Sequence, residues 1–152
     1  MATSEIDKSI AVLGALLTED FDVYRRLNAE LDAEASKVFA AVLGATFVEA
    51  ATRRFGQKPD IPAIIEFVAE ARATYATTGE VVSAQDAESM IRGALGEDHL
   101  LDSMDVRRMG AAQTAMLFAI VHEGGYASEQ IDDLLTVAKG RASSYFQRTH
   151  PS

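Results

Sequence analysis

The chain contains no cysteine and no tryptophan, and only three prolines and three histidines. Without cysteine there is no disulfide, no thiolate metal site and no Cys nucleophile, which fits a reducing compartment. Bases that titrate near neutral pH are scarce with so few histidines. The sequence has no G-x-G-x-x-G or G-x-x-x-x-G-K-[ST] phosphate loop, no H-E-x-x-H, no G-x-S-x-G and no spaced acidic calcium loop. It therefore predicts no cofactor and leans away from an enzyme. Alternation with a period of two is missing over any useful length, and Glu80-Val81-Val82 is too short for a strand. The longest uncharged runs fall short of the roughly 18 residues that suggest a membrane span. Met1-Ala2-Thr3-Ser4-Glu5 lacks the basic-then-apolar pattern of a secretory signal. The expectation is a soluble, cytoplasmic protein with no membrane partner.

What is present is helix-forming. Alanine, the strongest helix former, occurs 26 times in 152 residues. That length predicts one domain over residues 1–152, with the last few residues frayed, and allows roughly 70% of the unfolded surface to be buried. The net charge is −9. All 23 acidic residues lie at or before Asp133, against 11 Lys and Arg, so that stretch carries 11 − 23 = −12. Lys139, Arg141 and Arg148 give the remainder +3. An acidic body repels nucleic acid over most of its surface.

Punctuation by capping residues, glycine and proline predicts an all-α fold, a single-domain orthogonal or mixed bundle of about six helices. Ser4 with Asp7 opens a first helix carrying Ile6, Ile10, Leu13 and Leu17, and Thr18 caps a second carrying Phe21, Tyr24, Leu27 and Leu31. A third runs from Ala33 to Phe55 and stops at Gly56. Asp60 caps a fourth with Pro62 in its first turn, a stripe of Ile61, Ile64, Ile65, Val68, Ala71 and Tyr75, and an end at Gly79. Ser83 with Asp86 opens a short fifth with Ala87, Met90, Ile91, Ala94 and Leu95. The sixth starts near Ser103 and ends at Gly124-Gly125, and Ser128 opens the last.

Two stretches, Val38–Val48 and Met109–Val121, contain no Asp, Glu, Lys or Arg in a chain that is 24% charged. A helix packed on one side only shows polar residues on the other, so these two are expected to be covered nearly all round, in part by a second subunit. Gly44 and Gly110 lie in these stretches and each costs about 1 kcal/mol relative to Ala in a helix interior. With Ala40 and Thr114 four residues away, they predict a close helix crossing, by analogy with small-xxx-small packing. The sequence thus predicts a homodimer, with Phe39, Val42, Leu43, Gly44, Phe47, Gly110, Gln113, Leu117 and Phe118 at the interface. The functional expectation is a non-enzymatic interaction or regulatory protein, with an unidentified protein partner in addition to itself. The alternative is a small-molecule-binding module whose apolar pocket is lined by Phe47, Met90, Met109, Met116 and Phe118.

Other chemistry-bearing groups have ordinary explanations. Asp98, His99 and Asp102 form the densest group of hard metal ligands, but they lie in a connector where acidic residues are common. His122 stands at a helix C-terminus, where the dipole favours it, and His150 lies in the tail. In the pairs Arg25-Arg26, Arg53-Arg54 and Arg107-Arg108 one side chain is expected to meet a carboxylate and the other water. Ser128–Arg148 has the outline of a helix-turn-helix, yet Asp132 and Thr136 stand where that motif needs small residues. The unbroken 3-4 rhythm of Ile131, Leu134, Leu135, Ala138, Ala142, Tyr145 and Phe146 predicts one continuous helix instead.

Overall fold

A computed structural model describes residues 2–56, 58, 60–74 and 82–149. Among these the chain is all-α, with seven helices and no strand. They are α1 (Ala2–Leu17), α2 (Phe21–Ala29), α3 (Ala33–Phe55), α4 (Ile61–Thr74), α5 (Ala84–Ala94), α6 (Val106–Glu123) and α7 (Ser128–Thr149), with a 3-10 turn at Asp98–Leu101 between α5 and α6. Their contacts resolve into two compact units, Met1–Glu49 with Gly125–Ser152, and Ala50–Gly124. Tyr75, Gly79, Glu80, Val81 and His150 lie outside the described residues.

In the first unit α1 packs against both α2 and α7. Lys139 of α7 reaches Asp7 at 2.8 Å, and Leu135 stands over Gly14. The later residue of α7 thus meets the earlier residue of α1, so the two run antiparallel. Ile6, Val12, Leu13, Leu16 and Leu17 of α1 and Ile131, Leu134, Leu135, Ala138 and Ala142 of α7 are buried. α7 is continuous, with the rhythm its sequence predicts and no turn within it. Arg141 ties it to Glu49 of α3 at 2.7 Å.

In the second unit α5 packs against α4, α6 and the 3-10 turn. Ser83 accepts a hydrogen bond from the Asp86 N–H at 3.0 Å, capping α5. Gly56, at φ +81°, ends α3 in the left-handed conformation that glycine adopts without strain. The buried line of α4 is Ile64, Phe67, Val68 and Ala71. The stripe read from the sequence is therefore partly misplaced. Ile61 and Ile65 are 40% and 47% exposed, and Phe67 takes the inward position.

Three other starts differ. α1 already includes Ser4. The Thr18 hydroxyl bonds back to the Gly14 carbonyl at 2.7 Å, and Asp20 caps α2. Asp105, not Ser103, caps α6, accepting from the Arg108 N–H at 2.8 Å. In the last two a carboxylate is placed next to the orphan N–H groups and the positive end of the helix dipole.

Candidate functional site

The two uncharged stretches are covered by the chain itself over most of their circumference. In Val38–Val48 only Ala40 is exposed, and in Met109–Val121 no residue is. Their two polar hydroxyls are satisfied within the helix, Thr46 donating to the Val42 carbonyl at 2.7 Å and Thr114 to that of Gly110 at 2.8 Å. Each helix keeps a half-exposed line, Ala41, Gly44, Ala45 and Val48 on α3 and Ala111, Thr114, Ala115 and Phe118 on α6, beside further half-exposed residues at Phe39, Met109, Gly110 and Gln113. Both lines follow the i, i+3, i+4, i+7 spacing of a single helix face.

This divides the residues that the sequence places at an interface. Val42, Leu43, Phe47 and Leu117 are buried within one chain and have no surface left to offer a partner. Phe39, Gly44, Gly110, Gln113 and Phe118 remain half-exposed. A Cβ built on Gly110 meets nothing within 4 Å, so no neighbour in the described chain requires glycine there. α3 alone, among the described residues, is long and apolar enough by length and composition to cross a membrane. Core helices share that property, and 44% of the stretch concerned is buried.

The Met and Phe residues that would line an apolar pocket are mostly core. Met90 and Met116 are buried, and Met109 and Phe118 are half-exposed. Phe118 stacks on His122 with ring centroids 4.7 Å apart. Asp98 and His99 lie on the 3-10 turn and Asp102 follows it, all exposed. No three His, Asp or Glu side chains among the described residues come together as a metal-ligand set. Asp98, His99 and Asp102 do not form such a set.

In two of the three arginine pairs, Arg25-Arg26 and Arg107-Arg108, one member meets a carboxylate as expected. Arg25 bonds Asp22 while Arg26 is exposed. Arg54 lies over the rings of Phe55 and Phe67, 5.0 and 5.4 Å from their centroids. Arg108 grips Asp86 with two nitrogens, Nε to Oδ2 at 3.0 Å and Nη2 to Oδ1, joining α6 to α5. These hydrogen bonds from Arg108 hold the Asp86 carboxyl below its usual pKa and raise that of the arginine, against the opposing effect of burial on the carboxylate. Arg92 and Glu97 form a similar bidentate pair at 2.7 and 2.9 Å across the end of α5.

Concave surfaces formed by described residues of the first unit include the following two. A shallow one follows α7 alone, along Thr136, Val137, Gly140, Arg141, Ser144 and Arg148, with Arg141 already held by Glu49. The other is a cleft of about 310 Å³ between α1 and the end of α2, formed by Lys8, Ala11, Val12, Leu27, Glu30 and Leu31. It was not legible in the sequence, because α2 is amphipathic and reads as packed. In fact none of its residues is buried.

No protein-family model, no curated protein and no solved structure matches the chain.

Proposed function

We propose that the protein is a non-enzymatic helical interaction or regulatory protein that acts as a homodimer. The observation supporting this reading is the half-exposed line of small and apolar residues on each uncharged helix: Ala41, Gly44, Ala45 and Val48 on α3, and Ala111, Thr114, Ala115 and Phe118 on α6. An uncharged face with small side chains admits a second helix closely, and repeating the same face through a two-fold axis gives a self-complementary interface. The acidic exterior keeps the assembly soluble and disfavours nucleic acid. Because one chain already covers Val42, Phe47 and Leu117, the second copy adds to a formed core instead of completing an absent one.

Light scattering of the full chain at micromolar concentration tests the proposal. A dimeric mass is expected, reduced to monomeric by Ala45→Asp or Ala115→Asp, each of which places a charge on one of these faces. A monomeric mass for the unaltered chain overturns it.

A further inference from the structure

The cleft between α1 and α2 is independent of self-association, and neither reading requires the other. Its floor and walls are Val12, which is buried, with Ala11, Leu27 and Leu31. Its rim carries one ammonium, Lys8, and one carboxylate, Glu30, both exposed. Neither has an ion-pair partner among the described residues. They do not pair with each other either, so the two charges stand more than a salt-bridge distance apart across one apolar hollow. The helix that forms the far wall leaves Leu27 and the following Leu31 only half-covered. The turn feeding it holds Glu19 at φ +64°, a conformation with a cost for a residue other than glycine.

From this arrangement we propose that the cleft binds a small zwitterion with an apolar body, a free neutral α-amino acid with an aliphatic or aromatic side chain. Its carboxylate meets Lys8, its ammonium meets Glu30, and its side chain fills the space against Val12, Leu27 and Leu31. Charge selects this class. A simple carboxylate would satisfy Lys8 but bring a second negative charge beside Glu30 on a chain of net charge −9. A simple amine would satisfy Glu30 and oppose Lys8. A molecule with both groups makes two charge-assisted hydrogen bonds and leaves neither rim charge opposed. The volume of about 310 Å³ lies at the small end of ligand sites, suited to one such molecule.

The test is titration of the isotopically labelled full chain with L-leucine and L-phenylalanine, followed by amide chemical shifts. 4-Methylpentanoate and 3-methylbutylamine serve as analogues of leucine lacking the ammonium or the carboxylate. Shifts are expected to centre on Lys8, Ala11, Val12, Leu27, Glu30 and Leu31. Lys8→Met, Glu30→Gln and each half-analogue are expected to weaken binding by roughly tenfold to a hundredfold. Ala11→Leu, which fills the cleft from an exposed helix position without altering either charge, is expected to give a comparable loss. Absence of shifts at these residues with either amino acid at millimolar concentration overturns the proposal. So does 4-methylpentanoate binding as tightly as leucine, since the ammonium would then contribute nothing.

Discussion

Replacing Gly110 by alanine separates what a lone chain wants at that position from what a docked partner would want. In a lone chain the outcome follows from the helix. Gly110 is the fifth residue of α6, and an added methyl meets nothing within 4 Å. Alanine there restricts the unfolded chain and gains about 1 kcal/mol in a helix interior. For a chain of this size that raises Tm by about 2–4 °C. Gly140 supplies the control, since it lies inside α7 and is equally free of neighbours, so Gly140→Ala should show the same gain. If another helix backbone rests on Gly110 in the dimer, the methyl instead overpacks that contact, at a cost of about 1–3 kcal/mol. The assay is thermal unfolding beside light scattering, for both variants at matched concentration. Gly140→Ala is expected to stabilise, while Gly110→Ala shifts the mass toward monomer and loses the gain. If Gly110→Ala stabilises equally and leaves a dimeric mass unchanged, Gly110 is not part of the interface. If Gly140→Ala destabilises, the propensity argument itself fails.

Gly93→Ala should behave in the opposite way, because the new Cβ would stand 2.8 Å from Leu101 Cγ and Cδ1. Overpacking of about 1–3 kcal/mol outweighs the helix gain of about 1 kcal/mol, and the double variant with Leu101→Ala should recover part of the loss in urea unfolding. Phe47→Ala, at a fully buried position, should cost about 3–5 kcal/mol in the same measurement. Asp86 has its carboxyl pKa lowered by hydrogen bonds from Arg108, so its contribution is complete above the ordinary carboxylate range and disappears as pH falls through the lowered folded-state value. The stability gap between the unaltered chain and Asp86→Asn should therefore be open at neutral pH and close on acidification. A gap that persists unchanged at low pH would show that the ion pair is not its source.

Helix existence was legible wherever a single residue type settled an end: Gly56 after α3, Asp60 before α4 and Ser83 before α5. The continuity of α7 was legible too, because a turn would have shifted the phase of Ile131, Leu134, Leu135, Ala138 and Ala142. The inward face of α4 was not. Ile61, Ile64, Ile65, Phe67, Val68 and Ala71 support two overlapping stripes at helical spacing, and only the packing of α5 and α6 chooses the one through Phe67. The uncharged runs correctly announced burial, but periodicity says how much of a helix is covered and not by whom. Much of the cover assigned to a second subunit is already supplied within one chain. The Asp86–Arg108 lock joins residues 22 positions apart, and neither member carries a local signal of the other. The α1–α2 cleft arises from incomplete packing, a feature that an amphipathic pattern conceals.

The antiparallel pairing of α1 with α7 also bears on the order of synthesis. Residues 50–124 are contiguous, and their unit can assemble as soon as that stretch has left the ribosome. The other unit is built from 1–49 and 125–152, so the part of α1 that packs on α7 waits, uncovered by it, until α7 has been translated. During that interval this part of α1 is open to chaperones and to premature association. Slowing translation ahead of Ser128 should lengthen that exposure without altering the finished protein.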